Sequence, residues 1–230
     1  MPAFRNKREP YVLVVGSFAL IMSTWGMVNS VGVFQTYWAD NQLSQYSTST
    51  IGWINSTFIA INLALAFHIG PVFDRFGPAW LIGTGSVAYG VVFFVLGSCT
   101  EFWHFLLVFG FLGGTSSAML STPAIAILTQ RFAGSRGLAT GLATTGAGAG
   151  GVLFPLVART MLKAHGWAWA TRTLAIIVAV LLLVGNVCVS NRSRTRSTSW
   201  VVDLKCFRDV RFVWATLSYC CTRQQRSRST

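Results

Sequence analysis

The sequence predicts an all-α membrane protein with six spanning helices, and three observations carry that prediction. Of 230 residues, 53% are hydrophobic and only 10% charged, whereas a soluble domain carries about a quarter charged residues. The apolar residues gather into six runs of about 20, the length a helix needs to cross the hydrocarbon core. Almost all of the basic residues behind the net charge of +12 fall between or beyond those runs. They therefore orient the chain in a bilayer and do not bind a polyanion, so no nucleic-acid partner is expected.

The first run, Tyr11 to Phe34, is longer than a signal-peptide core and is followed by five more, so it is read as a retained span. The others run approximately from Ile51 to Phe73, Ala79 to Ser98, Phe105 to Leu128, Leu138 to Leu162 and Trp169 to Ser190. With the amino terminus in the cytosol, Arg5, Lys7, Arg8, Arg75, Arg131, Arg136, Arg192, Arg194 and Arg196 share that side. Asp40, Glu101, His104, Lys163 and His165 take the other, as the positive-inside rule requires. Trp38, Trp53, Trp103, Trp167 and Trp169 are expected at the outer span ends as interfacial aromatics.

Four segments follow: a cytosolic amino terminus over residues 1–10, a six-helix bundle over 11–190, a basic linker over 191–211, and a partial seventh helix with a polar tail over 212–230. The five cysteines have no metal-ligand spacing and read as structural or incidental thiols. No cofactor is expected.

Asp74-Arg75-Phe76-Gly77, after Gly70-Pro71, separates two apolar runs. A charge at the bilayer centre costs about 2.5–3.5 kcal/mol on insertion scales, so this group is expected in a short interfacial loop. Gly70 and Gly77 would let two helix ends approach closely there.

Gly70, Asp74, Arg75 and Gly77 have the spacing of the loop between helices two and three in the major facilitator superfamily, with Pro78-Ala79 where a basic pair usually follows. Phe132, Arg136, Leu138, Ala139 and Gly141 approximate a second signature of that family. Gly32-Val33-Phe34-Gln35-Thr36-Tyr37 and the stretch from Val202 to Phe212 are similar to its fungal monocarboxylate-transporter-like branch. The chain thus resembles the amino-terminal half of such a transporter from about Tyr11 to Phe212. It departs from the branch before the first span, where Lys7-Arg8-Glu9-Pro10-Tyr11 replaces a Gly- and Trp-rich signature. Asn29 stands where animal members carry a carboxylate-binding lysine.

The resemblance implies the six-helix amino-terminal bundle of the major facilitator fold, a 3+3 inverted repeat, ending at the start of helix seven. The whole carrier has two such six-helix halves. It also implies a cytosolic gate formed by Gly70, Asp74, Arg75, Gly77 and Arg136; a plain orientation signal is the competing account. Secondary active transport of a small organic solute, for instance a monocarboxylate, follows by alternating access, in the manner of a symporter. The alternatives are an exporter of a secondary metabolite and a truncated half-carrier that does not transport. Expected partners are the lipid bilayer, the solute, protons, and a second half-carrier or a homodimer. The plasma membrane is favoured over a vacuolar or other internal one.

If the first three spans mirror the last three, the first and fourth correspond, and both are interrupted by small and polar residues. Asn29, Ser121, Thr122 and Asn55 are candidate substrate contacts, with helix packing as the other account of each. Asn62 lies seven residues from Asn55 and shares its face. Arg159, about 31 Å along the fifth helix from Leu138, either snorkels to the outer surface or attracts an anionic solute. His68 is read as a packed or interfacial histidine in preference to a proton-coupling one. No nucleotide-binding loop argues for a primary pump, and His68, His104 and His165 are too scattered for a membrane-embedded enzyme.

Overall fold

A computed structural model of the chain describes residues 9–132 and 135–190, with the side chains of residues 9, 74–76 and 190 excepted. The amino-terminal arginines, the basic linker and the partial seventh helix lie outside the described residues, as do the side chains of Asp74 and Arg75.

Among the described residues, six helices are long and apolar enough to cross a membrane. They are α1 (Glu9–Asp40), α2 (Thr48–Phe76), α3 (Pro78–Leu96), α4 (Phe102–Arg131), α5 (Arg136–His165) and α6 (Trp167–Ser190). Each is found where an apolar run predicts it, and most extend further. α1 continues past Phe34 to Asp40 because Thr36 and Asn41 place their donors on the helix's own carbonyls of Gly32 and Tyr37, at 3.0 and 2.9 Å.

Two connections are tighter than expected. Asp74, Arg75 and Phe76 form the last turn of α2, so the predicted loop reduces to Gly77 alone. Gly77 has φ 80° and ψ 166°, and Gly166 between α5 and α6 has φ 78° and ψ −174°. That backbone region is open to glycine and almost nothing else. Gly77-Pro78-Ala79-Trp80 and Gly166-Trp167-Ala168-Trp169 repeat one pattern at these two hinges.

The packing shows the same repeat. α1 packs on α5, α6, α4 and α2; α4 packs on α2, α3, α1 and α5; α3 also meets α6 and α2, and α5 meets α6. Exchanging α1 with α4, α2 with α5 and α3 with α6 leaves this set of pairs unchanged. Together with the paired glycine hinges, this is the 3+3 repeat of a six-helix half.

Lipid solvates apolar side chains as well as a helix surface does, so such helices associate through close backbone contact and polar bonds. α1 and α5 touch at glycines: a Cβ on Gly26 would sit 2.7 Å from Gly150 Cα, and one on Gly146 would sit 2.6 Å from the Phe18 carbonyl. The mirror pair, α2 and α4, meets at Gly110, Gly113 and Gly114, where a Cβ on Gly114 would be 2.8 Å from the Phe58 carbonyl. Around these glycines α4 widens into a π-helical turn over Leu106–Gly113, an irregularity that a run of apolar residues does not announce. Gly70, by contrast, would meet nothing within 4 Å, so no close approach is found there among the described residues. It lies half-buried with open space beside it.

Polar bonds join the remaining helices. Ser17 donates to the Ala124 carbonyl at 3.2 Å and Tyr89 to the Ser23 carbonyl at 3.3 Å. α3 and α6 are held by Trp167 Nε1 on the Leu96 carbonyl at 3.1 Å and by Asn186 Nδ2 on Ser86 Oγ at 2.6 Å. Replacing Asn186 with leucine is expected to cost about 1 kcal/mol, within the range of interhelical bonds in bilayers. Thermal unfolding in detergent would register this as a lowered midpoint, and an unchanged midpoint would show the bond to be idle.

The tryptophans divide in two. Trp53, Trp103 and Trp169 are exposed, as interfacial residues should be. Trp38 and Trp167 are buried, because they pack on each other at 5.7 Å between ring centres and on Phe34 and Phe105. They close the end of the bundle where α1 finishes and α4 and α6 begin.

Candidate functional site

α1 and α4 are the most buried helices and form the middle of the bundle. α2 flanks α4 and α5 flanks α1, yet among the described residues α2 and α5 share no extended packing. α3 and α6 do meet, behind α1 and α4. The arrangement therefore has a closed back and an open front, with α1 and α4 as floor and α2 and α5 as walls.

At one corner of that front, Trp25 and Val28 of α1, Phe58, Ile59 and Asn62 of α2 and Ser117 of α4 line a crevice of about 10 Å³. Trp25, Asn62 and Ser117 each lie within one residue of the midpoint of their helix. The crevice is therefore at mid-depth, where an unpaired polar group is most costly. Asn62 is 5% exposed and its Nδ2 has no hydrogen-bond partner. Asn55, about 10 Å along α2 at 1.5 Å per residue, likewise has a buried Oδ1 with none. One amide offers a donor and the other an acceptor.

Other sequence candidates fall differently. Asn29 is exposed and donates to the Ala147 carbonyl of α5 at 3.2 Å, beside Gly151, at the opposite corner of the floor. Ser121 is buried with its hydroxyl on the Ser117 carbonyl of its own helix at 2.9 Å, and Thr122 is half-buried. Arg159 is exposed and stands about 12 Å beyond Gly151 on α5, away from these amides. His68 is exposed, its Nδ1 3.1 Å from the Ala64 carbonyl one turn back. Arg136 is exposed at the start of α5, at the same end of the bundle as Gly77. Outside the spans, burial raises the Cys99 thiol above its ordinary range, and the thiol rests on the Val95 carbonyl at 3.5 Å.

The sequence places Asn62 on the face of Asn55 and Ser117 in the polar interruption of the fourth span, but it does not single out Trp25. Asn62 and Ser117 each stand at the centre of an apolar run, which is the signal that could have joined them.

The sequence profile described as "Major Facilitator Superfamily" matches residues 11–223. The chain belongs to the Major Facilitator Superfamily. Among its relatives, the MFS-type transporter eupM of Phoma sp is 38% identical over 205 residues, covering 88% of this chain and 72% of the relative. The riboflavin transporter MCH5 of Saccharomyces cerevisiae is 29% identical over 233 residues, covering 91% and 45%. The fujikurins efflux protein of Gibberella fujikuroi is 32% identical over 184 residues, covering 80% and 40%. The chain thus spans less than half the length of the last two relatives. The front built on α1, α2, α4 and α5 thus carries one orphaned amide at mid-depth, Asn62, and a second, Asn55, about 10 Å further along α2.

Proposed function

We propose that this chain supplies one half of a secondary active carrier that moves a small organic solute by alternating access, the solute meeting Asn55, Asn62 and Ser117 across the open front. The observation that carries this reading is the buried, unpaired Asn62 amide at the midpoint of α2. A buried donor without a partner costs about 1–3 kcal/mol, and a solute carbonyl or hydroxyl arriving from the front would offset it. Asn29, Ser121, Thr122 and Arg159 are placed around that path as secondary contacts. Six helices leave the front open, so a second six-helix half, or a second copy of this chain, is needed to enclose a route.

Gly70, Asp74, Arg75 and Gly77, with Arg136 at the same end, form the gate against that second half. The rigid Gly77 corner holds the last turn of α2 close to α3, so movement of one helix is passed to the other. The gradient that drives transport is of protons or of a second solute, and the membrane is the plasma membrane.

Export of a secondary metabolite is the favoured direction and substrate class, and monocarboxylate symport is the second reading. Two observations support this order. Relatives include proteins named for efflux of fujikurins and of agnestins. Among the described residues, none that lines the crevice is a cation able to meet a carboxylate.

A panel of radiolabelled short-chain acids, riboflavin and neutral conjugated metabolites, tested in cells expressing the full-length gene with and without a pH gradient, examines this. Asn62→Leu is expected to lower transport of the accepted solute about tenfold, the equivalent of one lost hydrogen bond of ~1.4 kcal/mol, at unchanged surface abundance. Unaltered transport in that variant would remove the site. Uptake by proteoliposomes holding this chain alone as a monomer would remove the need for a second half.

A further inference from the structure

On the closed back of the bundle, away from the open front, α3 and α6 leave a groove of about 750 Å³ between them. Its floor is made of small residues, Gly90 on α3 and Ala175 and Ala179 on α6, and a Cβ on Gly90 would meet nothing within 4 Å. Its rims are exposed apolar side chains, Phe94 and Ile176. From Trp169 to Ala179 the groove runs about 15 Å along α6 at 1.5 Å per residue. That is about half of a ~30 Å hydrocarbon core, the depth of a single leaflet. An acyl chain fits that length.

One cation stands at the head of the groove. Arg172 is exposed, with its guanidinium 5.5 Å from the centre of the Trp169 ring, and no described carboxylate pairs with it. It enters α6 about 7.5 Å from the first residue, Trp167, so it sits at headgroup depth beside an interfacial tryptophan. A guanidinium at that depth is within reach of lipid headgroups, and its planar fork suits a phosphate.

We propose that this groove seats one phospholipid, its phosphate on Arg172 and one acyl chain laid along Gly90, Ala175 and Ala179. Charge and length select this occupant: the anion answers the lone arginine, and the chain fills one leaflet of apolar cleft. The site is independent of the transport path, because α3 and α6 lie behind the floor of the open front.

Native mass spectrometry of the full chain, purified in detergent with added phosphatidylglycerol or phosphatidylcholine, tests the proposal. The wild-type chain is expected to retain one phospholipid. Arg172→Gln, which removes the charge, and Ala175→Phe, which fills the floor, should each lower occupancy about tenfold, a loss of ~1.4 kcal/mol. Arg172→Lys should keep most of it, and Arg159→Gln should leave it unchanged. Equal retention of the two lipids supports recognition through the phosphate they share. Retention of diacylglycerol as firmly as either phospholipid overturns the headgroup assignment. Wild-type occupancy in both Arg172→Gln and Ala175→Phe, with helix content intact, overturns the site. So does a dimer that dissociates on Ala175→Phe without loss of lipid, because the groove would then hold a second copy.

Discussion

Gly150→Leu is expected to unfold the bundle in detergent at a temperature many degrees below that of the natural chain. A Cβ at Gly150 would lie 2.7 Å from Gly26 Cα and 2.7 Å from the Met22 carbonyl. Both obstacles are backbone, so no rotamer change relieves them. α1 would have to retreat from α5, but α4 and α6 hold it from other sides. Overpacking a core costs about 1–3 kcal/mol, and a clash of two backbones belongs at or above the top of that range. Gly148→Leu is the internal control: two residues away on the same helix, its Cβ would meet nothing within 4 Å. Circular dichroism melts of the two variants should therefore separate sharply. A Gly150→Leu midpoint as high as that of Gly148→Leu would mean that α1 and α5 do not cross at these glycines. Gly26→Leu should reproduce the effect, and the double variant should cost less than the sum, since both block one contact.

The second large effect is expected at Gly77. With φ 80° and ψ 166° it occupies a region that a side chain makes costly by about 1–3 kcal/mol. Gly77→Ala should destabilise the chain by that amount and reduce transport beyond the loss of folded protein, because α2 and α3 would no longer meet at the same corner. Gly166→Ala should destabilise to a similar extent, as its φ of 78° predicts. Gly70→Ala separates stability from gating. Gly70 is helical and unobstructed, so alanine there should be neutral or stabilising by up to about 1 kcal/mol. Should Gly70→Ala stop transport at full stability, the contact it blocks belongs to the second half of the carrier. Should Gly77→Ala melt and transport like the natural chain, the hinge is not strained.

Much of the architecture was legible without coordinates. Each of the six apolar runs marks one of the six helices, because a lipid-spanning segment must be long and apolar, and composition records both requirements. Boundaries were less legible: at its carboxyl end α1 exceeds its run by six residues, from Phe34 to Asp40. Beyond the hydrocarbon a helix continues or stops according to local bonds and packing, to which hydropathy is blind. The interfacial loop at Asp74 shrank to one glycine for the same reason. A loop was inferred from charge, but a helix end can carry charge at the interface equally well.

The candidate site divides similarly. The spacing of Asn55 and Asn62 places two amides on one face of α2, but only Asn62 lines the crevice. Which of the glycines in α5 touches α1 did not follow from their number: Gly146 and Gly150 are pressed against it, while Gly137, Gly141 and Gly148 face open space. Trp38 and Trp167 were expected at the interface with the other tryptophans and instead fill the bundle end, since an indole's affinity for the interface says nothing about the rings waiting inside.

By itself the sequence determined the environment of the chain, the number and order of its spans, the family pattern around Gly70, Asp74, Arg75 and Gly77, and the polarity of each helix face. These are properties of single segments in a solvent, set by length and composition. Only the tertiary structure decided that α1 and α4 are the floor, that α2 and α5 stand apart, and that Trp25, Asn62 and Ser117 meet at mid-depth. In a bilayer those choices rest on backbone-to-backbone fit at a few glycines and on a handful of polar bonds, and such fit is a relation between segments that no single segment contains.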